Sequence, residues 1–140
     1  MTTPFLDTNI LLRHLLNDHP QQSPACFALI KAIEQGKVKA WTTDLVISEV
    51  VFVLANKRTY NLPRQRIRDL LLPLIYLPGL KLPRKRLYQR IFELYTRFPS
   101  ISFVDVFHAA LVESRKEPEL YSYDTDFDQV EGLHRIEPSP

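Results

Sequence analysis

The sequence has little cysteine and little glycine, and both shortages exclude whole classes of protein. Cys26 is the only cysteine in the 140 residues, so no internal disulfide can form and a disulfide scaffold is excluded. The three glycines, Gly36, Gly79 and Gly132, lie in neither a G-x-G-x-x-G nor a G-x-x-x-x-G-K pattern. Dinucleotide-binding dehydrogenases and P-loop nucleotide hydrolases are therefore excluded.

Long apolar runs are also missing. No stretch approaches the roughly 20 residues that a membrane helix needs. The first seven residues lack a basic segment followed by an apolar run, so we expect no signal peptide. At 45% hydrophobic and 24% charged residues, the composition is that of an ordinary globular protein. We expect one cytoplasmic domain spanning residues 1–140.

Basic residues are concentrated in one part of the chain, although the net charge is only +2. Between Lys57 and Arg90 there are ten Lys or Arg residues and one acid, Asp69, whereas the remainder holds eight basic residues and fifteen acids. Such a run is typical either of solvent-exposed helix faces or of a surface that binds phosphates. The acidic residues decide between these two interpretations.

The apolar pattern predicts strands that alternate with helices. The predicted helices cover 8–17, 24–36 (capped by Ser23), 43–56, 63–74, 83–97 and 102–114. The predicted strands cover 4–7, 38–41, 80–82, 119–123 and 134–136. Alternation of this kind predicts an α/β fold, with a central parallel sheet and helices on both faces.

Three aspartates stand at the starts of helices or the ends of strands. Asp7 and Asp124 follow predicted strands, where ligands of parallel sheets bind, and Asp105 lies near the start of a helix. Each also has a structural explanation. Asp7 could cap the first helix, Asp105 stands three residues after Ser102 in a capping signature, and Asp124 begins a polar turn.

Glu49 has no such simple explanation. It lies in a helix whose neighbouring positions are apolar: Leu45, Val46, Phe52 and Val53. We therefore expect its carboxylate to be partly buried, where a lone charge would cost several kcal/mol unless a cation neutralised it. This predicts that Glu49 belongs to a functional site.

Carboxylates without cysteine or paired histidines are typical of a site for Mg²⁺ or Mn²⁺. The histidines (His14, His19, His108 and His134) do not have the spacing of a zinc motif. A metal-activated water at such a site can attack a phosphodiester, and the basic segment would hold the nucleic-acid backbone. We predict that Arg84, Lys85 and Arg86 bind this backbone.

Four short motifs resemble those of PIN-domain ribonucleases, and more closely those of VapC-type toxins from bacterial toxin–antitoxin pairs. They occur in the family's order over essentially the whole chain. The motifs are Phe5–Asn9, Ile47–Val50, Phe103–Ala110 and Tyr123–Asp128. The resemblance implies an α/β/α sandwich and a Mg²⁺- or Mn²⁺-dependent endoribonuclease that cleaves structured RNA such as tRNA or rRNA.

The resemblance also assigns roles to single residues. It implies that the metal ligands and catalytic acids are Asp7, Glu49, Asp105 and Asp124. It gives auxiliary roles to Thr8, Asn9 and Asp126. Asp128 is interpreted as solvated surface, and His108 as a packed helix residue in preference to a site residue. The implied partners are a second copy of the chain and a small antitoxin that blocks the site.

Two other classes of function remain as alternatives. A PIN-like module could bind RNA with little catalysis, although the four acids are intact. A receiver-type signalling domain would also place Asp at strand ends. Receiver domains resemble this pattern less, because Asp7–Asn9 lacks their acidic pair and no Lys follows Lys116.

Overall fold

The structure is a computed structural model that describes residues 2–140. Its six helices are α1 (Thr8–Leu16), α2 (Gln22–Glu34), α3 (Asp44–Ala55), α4 (Arg64–Ile75), α5 (Tyr88–Arg97) and α6 (Phe103–Glu113). Its four strands are β1 (Ala40–Trp41), β2 (Leu80–Lys81), β3 (Glu119–Tyr121) and β4 (His134–Ile136). Short 3₁₀ turns occupy Lys85–Leu87 and Thr125–Gln129. The chain divides into two compact units, the first ending at Lys85 and the second running from Arg86 to Pro140.

The strands of the first unit are short and parallel. Ala40 and Trp41 of β1 pair with Leu80 and Lys81 of β2. The segment before α1 adds a third member, because Phe5 forms a parallel bridge to Trp41 and the Leu6 N–H donates to the Trp41 carbonyl at 2.8 Å. The chain enters α1 directly after this bridge. This geometry places residue 7 at the carboxyl end of a paired segment, as the sequence predicts.

Apolar faces of four helices form the core of the first unit. Helix α1 packs on α2 and α3, and α3 packs on α4. The fully buried side chains recur at helical spacing, as expected for amphipathic helices. They include Leu11, Ile33, Ile47, Leu54, Ile67, Leu71 and Ile75.

The second unit combines a helix pair with a parallel strand pair. Helices α5 and α6 pack together around an aromatic cluster formed by Tyr88, Phe92, Tyr95, Phe103 and Phe107. An ion pair also ties the helices, since the Arg90 guanidinium donates two hydrogen bonds of 2.8 Å to Glu113. Strand β3 is parallel to β4, with Leu120 opposite Arg135.

The predicted α/β class with parallel strands is confirmed, and several predicted boundaries are wrong. Ser23 is not the cap of α2: it lies inside the helix, and the His19 Nδ1 accepts from the Gln22 N–H at 3.0 Å. The helix expected to start at residue 83 begins as a 3₁₀ turn and becomes α-helical only at Tyr88. Strands β1, β2 and β3 are shorter than predicted, and the strand predicted at 4–7 forms only the isolated bridge at Phe5. The extent of each short segment depends on hydrogen bonds to residues distant in sequence, which local sequence patterns do not encode.

None of the described helices has the length and apolar character required to cross a membrane.

His14 on α1 is partly buried and packs against an aromatic ring. Its ring packs edge-on against Phe27, with centroids 4.7 Å apart, and its buried Nδ1 has no hydrogen-bond partner within residues 2–140. Burial lowers the pKa of His14 below its usual value of 6.5. Because the unfolded chain then binds a proton more readily than the folded chain, stability falls as the pH drops below about 6.5.

Replacement of His14 should therefore reduce the sensitivity of the fold to acid. We expect the stability advantage of wild type over His14→Gln to be larger at pH 7.5 than at pH 5.0, because only the wild type loses stability by protonation at this position. Urea unfolding at both pH values measures the difference. Lys31 and Glu34, which line a surface cleft together with His14, titrate in both proteins. An advantage that does not change with pH would contradict the expectation.

Candidate functional site

Asp7 stands at the N-cap position of α1, but its side chain does not cap the helix. Its backbone is extended, with φ −84° and ψ 160°, and its carboxylate makes no capping hydrogen bond in the described chain. The side chain is exposed. The Asp7 side chain therefore has no capping role, and the residue lies exposed two positions after the bridge at Phe5.

Thr8 connects the first acidic motif with the second. Its side chain is only 5% exposed, and its hydroxyl donates to the Glu49 Oε2 at 2.8 Å. The two residues are 41 positions apart, on α1 and α3, which pack against each other. This hydrogen bond fixes the orientation of the Glu49 carboxylate and leaves its second oxygen free of the same contact.

The expectation that Glu49 is partly buried is wrong. Its side chain is exposed, as are its neighbours on the same face of α3, Leu45 at 81% and Phe52 at 68%. The opposite face carries the burial, with Val46 at 6% and Val50 at 0% exposure. The sequence of α3 is apolar nearly all round, but only one side packs. Glu49 therefore does not carry the desolvation cost that predicted a role in a functional site. The observation that supports such a role is its hydrogen bond to Thr8.

Asp105 lies in the first turn of α6 and takes part in half of a capping box. The Ser102 hydroxyl accepts from the Asp105 N–H at 3.2 Å, which caps the helix through the backbone of Asp105. Its carboxylate is partly exposed and lines a cleft together with His108. The capping role of Asp105 therefore uses its backbone N–H. His108 is exposed, so the expectation of a packed histidine is wrong.

Asp124 and Asp126 lie in the turn that follows β3. The Asp124 Oδ1 accepts from the Asp126 N–H at 2.9 Å and thereby caps the 3₁₀ turn. The Asp124 N–H donates to the Ser122 hydroxyl at 3.0 Å, which fixes the backbone before the turn. One oxygen of Asp124 thus has a structural role, as the polar-turn interpretation expects. Asp126 contacts the Gln129 amide at 3.4 Å.

Asp128 belongs to an ion pair that the sequence pattern did not suggest. The Arg135 side chain on β4 donates to both Asp128 oxygens, at 3.0 and 3.2 Å. These hydrogen bonds lower the pKa of Asp128. The residue is exposed, as predicted, but it serves to hold the 3₁₀ turn against β4. No periodicity signals such a pair, because its members are seven positions apart and lie on different elements.

The three predicted RNA-binding residues have different surroundings. Arg84 has a positive φ of 55° and forms an ion pair with Asp44 at the start of α3. The Lys85 ammonium donates to the carbonyls of Leu77 and Leu80, at 2.9 and 2.7 Å, and burial lowers its pKa. Lys85 therefore stabilises the turn before β2. Arg86 is exposed to solvent.

The acidic residues offer oxygen donors only. Asp7, Asn9 and Glu49 lie in the first unit, and Asp105 and Asp124 in the second. Among residues 2–140, no three His, Cys, Asp or Glu side chains form a group that could hold a metal ion as they stand. The donor chemistry nevertheless suits a hard divalent cation, because carboxylate and amide oxygens are the ligands that Mg²⁺ and Mn²⁺ prefer. Asn9 is exposed at the start of α1, next to Asp7 and Thr8.

Comparison with known proteins identifies the class. Residues 5–133 match the model of the PIN domain, so the chain belongs to the PIN domain family. The match begins before Asp7 and ends after Asp128, and thus includes all four acidic motifs. PIN domains are in general nucleases that use divalent metal ions. A search of curated proteins found no match. The family match also removes the receiver-type signalling domain as an alternative.

Proposed function

We propose that this chain is a Mg²⁺- or Mn²⁺-dependent endoribonuclease and the toxin of a toxin–antitoxin pair. The observation that supports the proposal most strongly is the hydrogen bond from the buried Thr8 hydroxyl to Glu49, since it joins two acidic motifs far apart in sequence. In this proposal Asp7, Glu49, Asp105 and Asp124 hold the cation. A bound divalent cation would activate water and offset the charge that develops on the phosphodiester.

Other residues of the chain would position the proposed metal ligands. Thr8 orients the carboxylate of Glu49, and the Ser102 hydroxyl fixes the backbone of Asp105. The hydrogen bond between Asp126 and Asp124 leaves the second Asp124 oxygen available to a ligand. The contacts to Glu49 and Asp124 reduce the freedom of a carboxylate before the substrate arrives, and the contact to Asp105 fixes the backbone that carries one. Preorganised ligands of this kind are typical of metal-dependent hydrolases.

A cleavage assay tests the proposed activity. Purified protein should cut a structured RNA in the presence of Mg²⁺ or Mn²⁺, and EDTA should abolish cutting, because the candidate ligands are carboxylates. The Thr8→Val variant retains the shape but removes the hydroxyl, and should cleave more slowly. Cleavage that continues in EDTA, by protein shown to be free of other nucleases, would contradict the proposal. RNA binding without cleavage under any metal would favour the alternative, a catalytically weak PIN-like RNA-binding module.

The basic residues near the unit boundary are proposed to bind the RNA backbone. Because Lys85 stabilises a turn, the informative variant is the double substitution Arg84→Gln and Arg86→Gln. We expect weaker RNA binding and a salt dependence reduced by about 1–2 in the slope of log K against log salt, since each lost phosphate contact contributes about 0.7–0.9.

The matched control removes two exposed lysines from another part of the chain, Lys37→Gln and Lys39→Gln. It changes the net charge equally and should alter the salt slope less. Filter binding of labelled RNA between 50 and 200 mM salt, a range over which phosphate contacts change affinity by orders of magnitude, measures both slopes. Equal slopes for wild type and the Arg84/Arg86 double variant would show that these arginines do not bind phosphates.

We further propose that the chain forms a homodimer and binds an antitoxin protein, as VapC-type toxins do. The exposed apolar side chains of Leu45 and Phe52, on either side of Glu49 on α3, support a protein contact on this face, because large exposed apolar residues often mark an interface. Two copies of one apolar face can pair symmetrically. Sedimentation of wild type and Phe52→Lys tests the dimer, and a monomeric wild type would contradict it.

A further inference from the structure

The second unit contains a cleft that none of the four proposed metal ligands lines. Its volume is about 300 Å³, and it lies between the last turn of α5 and the segment that follows the 3₁₀ turn at Thr125–Gln129. The Gln129 amide donates to the Ser100 hydroxyl at 3.2 Å and thereby joins the two walls. A volume of this order is typical of small-molecule sites.

Two opposite charges line this cleft without pairing. Arg97 and Glu131 are both exposed, and neither side chain forms an ion pair or a hydrogen bond within residues 2–140. Arg90 also lines the cleft, but its charge is balanced by Glu93 and Glu113. The unpaired charges therefore sum to zero. Such a pair suits a neutral ligand that offers acceptors to the arginine and donors to the carboxylate.

An aromatic ring holds the Arg97 guanidinium in place. The guanidinium carbon lies 5.3 Å from the centroid of the Phe98 ring, which is a cation–π contact. This contact uses the face of the guanidinium and leaves its N–H groups to a ligand. Phe98 and Val130 form the apolar part of the wall. The cleft thus combines a planar donor fork, a carboxylate and an apolar surface that can contact a flat ring.

Guanine is the nucleobase whose edges match these groups. Its O6 and N7 atoms accept two hydrogen bonds from an arginine fork, which is the commonest base-specific contact. On the adjacent edge its ring N–H and amino group donate, as the carboxylate of Glu131 requires. Adenine presents an amino donor beside N7, which opposes the donors of Arg97, and a ring acceptor on the next edge, which opposes the carboxylate. The cleft therefore favours guanine over adenine.

We propose that this cleft binds a guanine base, with Arg97 on its acceptor edge and Glu131 on its donor edge. The base belongs either to a free guanine nucleotide or to an RNA, since both present the same edges. The proposal does not depend on the proposed nuclease activity, because none of the residues involved is a proposed metal ligand.

Titration with free nucleotides in EDTA tests the base preference. Amide chemical shifts of isotope-labelled protein report binding of guanosine monophosphate, guanosine and adenosine monophosphate. Both guanine compounds should bind about 5- to 150-fold more tightly than adenosine monophosphate, the range for one bidentate base contact. Arg97→Lys retains the charge but loses the planar fork, and Glu131→Gln removes the carboxylate. Each variant should lose at least about 5-fold in affinity for the guanine compounds.

Charge controls come from the same unit. Arg115→Gln and Glu117→Gln remove exposed charges of the same two kinds outside the cleft, and both variants should bind guanosine monophosphate as the wild type does. Equal affinity of the wild type for the guanine and adenine nucleotides would overturn the inference. Binding of guanosine monophosphate without binding of guanosine would also overturn it, because the phosphate and not the base would then be recognised.

A second pair of probes distinguishes the two sources of guanine. One is a fluorescein-labelled oligoadenylate, and the other has a single central guanine in the same sequence. Tighter binding of the second by fluorescence anisotropy, lost in Arg97→Lys, identifies RNA as the source. Equal binding of the two, with the preference for guanosine monophosphate retained, identifies a free nucleotide. These measurements are made in EDTA, so failure of metal-dependent cleavage would contradict the nuclease proposal alone.

Discussion

Replacing Asp7 with Asn should reduce RNA cleavage by at least about 100-fold and leave the fold intact. Even partners that only orient metal ligands change affinity or activity by about 10–100-fold, so removal of a ligand charge should cost at least as much. The Asp7 side chain makes no capping hydrogen bond among the described residues and is exposed. The substitution therefore removes a charge without removing a structural contact.

The stability of Asp7→Asn separates a ligand from a helix cap. Exposed substitutions without structural contacts change stability by less than about 0.5 kcal/mol. Loss of a capping side chain would cost about 1 kcal/mol. Asp18→Asn, which removes the same charge beyond the end of α1 together with an ion pair to Arg13, is the charge control and should cleave RNA normally. Normal cleavage by Asp7→Asn, or a destabilised variant, would exclude the proposed role.

Gly79→Ala should cause the largest loss of stability among single methyl additions to the glycines. A Cβ at this position would lie 2.5 Å from the Val38 carbonyl oxygen and 2.6 Å from the Ile33 carbonyl oxygen. Both contacts are with backbone, which cannot rotate away. Overpacking of this kind typically costs about 1–3 kcal/mol, so the melting temperature should fall by roughly 5–10 °C.

The turn at Gly79 positions β2 beside β1. The Gly79 carbonyl accepts from the Ala40 N–H at 2.9 Å, and its N–H donates to Ile33. Gly36→Ala is the control: its Cβ would meet nothing within 4 Å, and only the positive φ of 73° opposes it. That variant should lose about 1–2 kcal/mol, the usual cost of a left-handed conformation. A smaller loss at Gly79 than at Gly36, by thermal denaturation, would contradict the steric explanation.

Local chemistry predicted much of the helical structure. Thr43 accepts from the Val46 N–H and Ser102 from the Asp105 N–H, so the N-termini of α3 and α6 lie where their capping residues indicate. The cap of α2 was missed, because His19 replaces the expected Ser23 as acceptor. Histidine has no strong N-cap preference, and its role depends on the turn that brings its ring back to the helix.

The candidate site shows a different limit of sequence analysis. The order of the four motifs identifies the candidate acids in the sequence. The helical periodicity of α3 does not predict the exposure of Glu49. Apolar neighbours predict burial of a helix residue only if every face of the helix packs against other elements. The face carrying Leu45 and Phe52 is exposed in the part of the chain that the structure describes. The hydrogen bond between Thr8 and Glu49 depends on how α1 packs on α3, which is a tertiary property.

Calorimetric titration with Mn²⁺ tests most directly the claim that the four acids form one metal-binding set. We predict saturable binding to the wild type, and binding weakened by at least about 10-fold in each of Asp7→Asn, Glu49→Gln, Asp105→Asn and Asp124→Asn. Asp18→Asn should bind as the wild type does. A wild type that binds no Mn²⁺, or four variants that all bind it as tightly as the wild type, would contradict the claim.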